Sequence, residues 1–235
     1  MNQLLTTGPP PTGRYDDLAG LMSLMTGDEK HSAAATSTLD VIWVLYDRVL
    51  DVSPETVADP DRDRFLLSKG HGPMAYYAVL VAKGFIPADW LPTWATFDSP
   101  LGQHPDRVLV PGVEIGSGSL GHGLPLAVGV ALGLRAQGSP ARTVVLVGDA
   151  ELDEGSNAEG LELAAATGLD SLTVVVIDNH SSSYAVPGRI AERFRAQGWH
   201  TRTVDGRDHD AVAAALTDRR TGVPRVVVAD VEEKY

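Results

Sequence analysis

Apolar residues along this chain recur with two different periods. Over residues 15–26, Leu18, Leu21, Met22 and Met25 follow helical spacing. Over 37–50, Leu39, Ile42, Val44, Leu45 and Val49 predict a second helix that stops before Pro54. A short apolar run at 64–68 predicts a buried strand, and 71–83 a third helix. Residues 85–104, rich in Pro and Trp, read as a short helix with loops. An Ala/Leu/Val helix follows over 120–137, opened by a glycine-rich turn. The β-branched run 143–147 ends in Gly148-Asp149, and the apolar run 172–177 ends in Asp178-Asn179. Around them the pattern predicts helices at 155–167, 187–197 and 208–216 and strands at 199–204 and 225–231.

Strands and helices therefore alternate through the second half. Strands 143–147 and 172–177 are almost continuously apolar, as strands buried on both faces are. The fold class expected is α/β, a parallel sheet flanked by helices. Ligands of such sheets sit at the C-terminal strand ends. Pro9 to Pro11 and Gly13 mark a non-helical arm over 1–14, and the absence of a linker beyond it makes 15–235 one domain.

Asp149 and Asn179 close two consecutive strands. If those strands are neighbours, the two side chains meet at one rim, where Asp149 is expected to face solvent. A carboxylate and an amide oxygen there could hold a hard cation such as magnesium. Each residue alone reads better as a turn or capping residue; together, at corresponding strand ends, the two make the ligand reading competitive. The segment GSGSLGHG, residues 116–123, brings backbone close to some neighbour. It departs from a GxGxxG fingerprint, because Leu120 stands where no side chain would be wanted. His31, His71 and His104 each lie at an element boundary, which raises the prospect of a shared polar pocket. Their spacing does not suit zinc.

Composition narrows the classes. With 19 Lys+Arg against 31 Asp+Glu the net charge is −12, which argues against nucleic-acid backbones and anionic membranes as partners. Apolar residues at 43% suffice for a core. Without cysteine, the chain offers no disulfide, thiolate nucleophile or iron–sulfur ligand. The N-terminus shows no basic region followed by an apolar stretch, and no apolar run reaches a membrane span, so a cytoplasmic location is expected.

Longer blocks carry a family likeness. RDRFLLSKGHGPMAYYAVLVAKGFIP (62–87), GQHPDR (102–107) with PGVEIGSGSLGHGLPLAVGVALG (111–133), VVLVGDAELDEGSNAEGLELAAATGL (144–169) and GWHTRTVDGRD (198–208) together resemble the N-terminal subunit of a split transketolase. The likeness runs from about His31 to Val231. It implies a thiamine-diphosphate-binding fold that holds the diphosphate end of the cofactor. It implies transfer of a two-carbon ketol unit from a ketose to an acceptor. By position, Asp149, Asn179 and the Ser181 carbonyl fall where the family binds magnesium or calcium. His71 falls where a histidine meets the diphosphate, with Gly148 and Ala150 beside it. Gly118, Ser119 and Leu120 fall where the family contacts the aminopyrimidine and thiazolium. Glu154 falls at a contact between subunits, and His31 and His104 along the sugar channel.

The sequence departs from the family at Ala150, where glycine is usual, and at Ser32 to Ala35, where glycines follow the histidine. It also has His122 where glutamine is usual, and a shorter stretch between Asn179 and Trp199. The resemblance further implies a second, C-terminal transketolase-like chain supplying the pyrimidine-binding domain, in an α2β2 hetero-oligomer. Two other readings are a non-catalytic scaffold role and a 2-oxoacid-dehydrogenase-like subunit.

Overall fold

A computed structural model describes residues 13–26, 32–70, 73–183 and 186–233. Five strands, β1 (Arg64–Leu67), β2 (Thr143–Gly148), β3 (Leu172–Asp178), β4 (His200–Asp205) and β5 (Arg225–Asp230), form one sheet in the order β1-β2-β3-β5-β4. Every pairing is parallel, as the apolar runs required. Helices α1 (Leu18–Ser23), α2 (Ser32–Val44), α3 (Met74–Ala82), α4 (Gly123–Ala136), α5 (Gly155–Ala166), α6 (Arg189–Ala196) and α7 (His209–Thr217) make the crossovers and cover the faces. Among the described residues no helix is long and apolar enough to cross a membrane.

Successive side chains of a strand point to opposite faces, and the core divides accordingly. Val144, Leu146, Val175, Ile177 and Val227 pack on one face with α1, α2, α3 and α7. Val145, Val147, Val174, Val176, Val226 and Val228 pack on the other with α4, α5 and α6. All nine residues of α3 are buried, because helices α1 and α2 pack against it and Phe65 of β1 meets its Tyr76 ring edge to face. β4, at the sheet edge, buries only His200 and leaves the rest half-buried or exposed.

Several boundaries differ from the pattern-based expectation, most of all those of the second helix and of α4. The second helix starts at Ser32 rather than near residue 37, and its last turn widens to a π-helical one at Leu45–Val49. The helix expected from 120 begins only at Gly123, because Gly118 and Gly121 adopt positive φ and hold the chain in a turn. Of the N-terminal arm, only Gly13 and Arg14 are described. Gly13 lies against α3, donating to the Ala82 carbonyl at 3.3 Å.

Candidate functional site

The register sets Gly148 of β2 beside Ile177 of β3, so Asp149 and Asn179 leave neighbouring strands at the same sheet edge. The Asp149 amide donates to the Ile177 carbonyl at 3.0 Å. Asp149 is not solvent-facing as expected: it is only 2% exposed. The loop after β3 folds over it. Its carboxylate accepts the Ser181 N–H at 2.6 Å, the Ser181 hydroxyl at 2.7 Å and the Ser182 N–H at 3.0 Å. A carboxylate offers about four acceptor positions, so roughly one is left for a cation.

Asn179 is buried, and its Oδ1 has no hydrogen-bond partner among the described residues. An orphaned buried acceptor costs about 1–3 kcal/mol. A hard cation between it and Asp149 would remove that cost. The donor set of carboxylate and amide oxygens is the kind magnesium or calcium takes. The residues present therefore fit a divalent cation.

Beside this pair, Asp178, His180 and Asp230 close β3 and β5. His180 Nε2 lies 3.0 Å from Asp230 and its Nδ1 3.7 Å from Asp178. Burial raises the Asp178 pKa; the His180 charge opposes the rise and the Asp149 charge adds to it.

The glycine-rich turn supplies the second wall. Gly118 has φ +118°, and a β-carbon there would lie 3.1 Å from the His104 ring. A β-carbon at Gly70 would come within 2.9 Å of the Gly118 nitrogen and 3.0 Å of His104 Cδ2. The segment after β1, the GQHPD loop and the turn thus converge too closely for a side chain at either glycine, a close-packed glycine cradle. Ser119 Oγ and His122 Nδ1 lie 2.6 Å apart, and Leu120 is half exposed. At Gly121 the reason for glycine is packing: φ is +83°, and a β-carbon would strike Glu154 Cβ at 2.5 Å.

One buried carboxylate not singled out in the sequence ties these parts together. Glu151, 2% exposed, accepts the Ser68 hydroxyl from the end of β1. It also accepts the Gly121 N–H at 3.1 Å and the Gly148 N–H at 3.3 Å. Burial raises its pKa, while the Ser68 hydroxyl and the two N–H donors partly oppose the shift. Lys69 is a second such residue. Its stem passes 3.4 Å from where a Gly148 β-carbon would sit, and its Nζ is 3.4 Å from Ser37 Oγ. The sequence signal for both was adjacency: Lys69 precedes Gly70-His71, and Glu151 follows Asp149 by two.

Of the residues singled out earlier, the structure brings Gly148, Asp149, Ala150, Asn179 and Ser181 to one strand-end rim. It brings His104, Gly118 and Ser119 to the neighbouring turn. Glu154, exposed at the start of α5, packs its stem on that turn. His31 and His71 lie outside the described residues.

Residues 23–230 match the family described as transketolase, thiamine diphosphate binding domain. The chain is 56% identical over 223 residues to a protein of Rhodococcoides fascians named Ferredoxin fas2, covering 94% of this chain and 73% of that one. It is 38% identical over 207 residues to an apulose-4-phosphate transketolase subunit from Actinobacillus succinogenes, covering 85% and 75%. The 6-deoxy-6-sulfo-D-fructose transketolase subunit SqwG of Clostridium sp. is 32% identical over 206 residues, covering 84% and 75%. Among solved structures, the transketolase from Leishmania mexicana superposes with a TM-score of 0.75 at 26% identity, covering 93% of this chain. This chain spans 36% of that one. The rim of Asp149 and Asn179, the glycine cradle beside it and the match over residues 23–230 have one common explanation: the chain belongs to the transketolase family, through its thiamine diphosphate binding domain.

Proposed function

We propose that this chain is the diphosphate-binding subunit of a split, transketolase-like transferase that moves a two-carbon ketol unit from a ketose to an acceptor. The observation that carries the proposal is the orphaned Asn179 Oδ1 beside Asp149 at adjacent strand ends. Relatives of similar span that are named as transketolase subunits, not whole transketolases, support the two-chain reading.

When bound, thiamine diphosphate supplies a nucleophilic carbon and an electron sink for carbon–carbon cleavage. The roles of this chain's residues follow from their positions. Asp149, Asn179 and the Ser181 carbonyl would hold magnesium, whose charge would offset that of the diphosphate. His71 donates to the diphosphate, and the backbone of Gly148 and Ala150 approaches it. Gly118, Ser119 and Leu120 would form the wall against the cofactor rings, with the His104 ring packed where a Gly118 β-carbon would point. His31 and His104 orient the sugar hydroxyls and exchange protons with its carbonyl. Glu154, exposed here, meets the partner chain.

The partner is a C-terminal transketolase-like chain carrying the pyrimidine-binding domain, in an α2β2 assembly in the cytoplasm, with residues 15–235 forming one domain. The relatives' names, one with a phosphorylated and one with a sulfonated sugar, support a modified sugar as the ketose. A non-catalytic scaffold role is favoured by one observation: three hydrogen bonds already occupy Asp149.

The test is co-purification with the partner, then a screen of donor ketoses with thiamine diphosphate and magnesium. Turnover that needs both chains supports the proposal. Turnover of a ketose at a normal rate by this chain alone overturns the two-chain reading. A complex that binds neither cofactor nor metal leaves the scaffold role.

A further inference from the structure

At the opposite end of the sheet lies a cleft of about 480 Å³ that the proposed chemistry does not use. Three loops wall it: the α4–β2 connection, the residues leading into β3, and Arg219 to Thr221 leading into β5. At about 3.3 Å per residue, the six residues of β2 set it roughly 20 Å from the Asp149 rim. A volume of this size suits a small ligand.

Its charge is opposite to that of the molecule. The protein carries −12 overall, yet three arginines, Arg135, Arg219 and Arg220, line the cleft against one aspartate, Asp170. Several arginines elsewhere are paired with carboxylates: Arg62 with Glu114, Arg142 with Asp63, Arg202 with Asp218 and Arg207 with Asp40 and Glu232. Those of the cleft are not. Arg135 donates to the Thr167 carbonyl at 2.8 Å. Among the described residues, the Arg219 and Arg220 side chains make no hydrogen bond or ion pair. Asp170 is engaged by the Gly222 N–H at 2.8 Å.

Close to Arg219 sits Arg225, 4% exposed, whose Nε has no partner among the described residues. Its pKa is pushed down to about 10, first by burial and then by the charges of Arg219 and Arg142. The opposing charge of Asp218 is the smallest of these influences. Arg225 thus feels the charge of Arg219 more than the opposing charge of Asp218.

We propose that this cleft binds a small polyanion of the phosphate class, held by the forks of Arg219 and Arg220 with Arg135 beside them. Arginine forks match phosphate oxygens bidentately. An anion seated there would offset the repulsion between Arg219 and Arg225.

Pyrophosphate is the probe, titrated calorimetrically into the full chain with a chelator present so that no divalent metal assists the other site. Three proteins are compared: the wild type, the exposed double variant Arg219→Ala/Arg220→Ala, and Asp149→Ala. We expect saturable binding in the wild type, weakened at least tenfold in the double variant and changed less than twofold in Asp149→Ala. Raising salt from about 50 to about 200 mM should weaken it several-fold. Melting curves confirm that the double variant remains folded. Absence of saturable binding in the wild type overturns the proposal. So does binding that Asp149→Ala abolishes and the arginine double variant keeps, since the pyrophosphate would then sit at the cofactor rim.

Discussion

Glu151 offers the sharpest test of how the site is held. Replacing it by alanine removes the acceptor for the Gly121 and Gly148 N–H groups and for the Ser68 hydroxyl, all buried. Ser68 Oγ retains the Gly123 N–H, donated at 3.1 Å. A buried donor left unsatisfied costs about 1–3 kcal/mol, so two backbone donors imply roughly 2–6 kcal/mol. Against this, the variant no longer buries a carboxylate whose desolvation already raises its pKa. The net expectation is a loss of about 2–4 kcal/mol, read by urea unfolding. A Glu151→Ala variant within about 0.5 kcal/mol of wild type, the range of ordinary surface substitutions, would refute the bridging role.

The same group gives a pH signature. A carboxyl whose folded pKa lies above its unfolded value of 4.5 binds its proton more tightly in the folded state. Its contribution is therefore largest at low pH and is lost as pH rises from about 4.5 through the folded value. Glu151→Gln, which cannot titrate, should flatten that part of the stability curve.

Other expectations concern the cofactor rim. Asn179→Leu removes an orphaned acceptor, so it should leave thermal stability of the isolated chain unchanged or raised while abolishing magnesium-dependent cofactor binding in the complex; a clear drop in stability would show that Oδ1 is already engaged. Asp149→Ala should also abolish that binding, and calorimetry showing unchanged affinity would reject the metal assignment. Gly118→Ala forces an alanine to φ +118° against the His104 ring, costing about 1–3 kcal/mol and impairing turnover; full activity would mean the cradle is empty space. His71→Ala should weaken cofactor binding, whereas His104→Ala should chiefly lower sugar turnover, and identical cofactor titrations would erase the distinction.

What could be read from sequence follows from how far each determinant reaches along the chain. The runs VVLV and LTVVVI betray strands buried on both faces because both faces impose the same demand. The 30-residue spacing of Asp149 and Asn179 is legible because one crossover separates neighbouring parallel strands. The burial of Asp149 is not legible, since it depends on Ser181 and Ser182 folding back from a different strand. Glu151 is hidden for a similar reason. Among Glu151, Asp153 and Glu154, linear order does not tell which carboxylate turns inward; the Ser68 hydroxyl and the Gly121 N–H, two donors from distant segments, decide it together with the nearby Gly148 N–H. The late start of α4 reflects a glycine's φ, which composition permits but does not dictate.

The strand order also fixes a sequence of events. Within the β2–β5 block, Thr143 meets Leu172 after a single short crossover, but Arg64 must find Thr143 across 79 residues of chain. Closing the longer loop is the slower step, because its entropy is lost before the pairing repays it. β2, β3 and β5 should therefore assemble first and β1 dock last, delivering Ser68 to Glu151 and Gly70 to the turn at the end of folding. Amides of 64–70 should then exchange with solvent before those of 172–178. The half-site would remain open in any intermediate, so that a ligand spanning both walls selects the finished sheet.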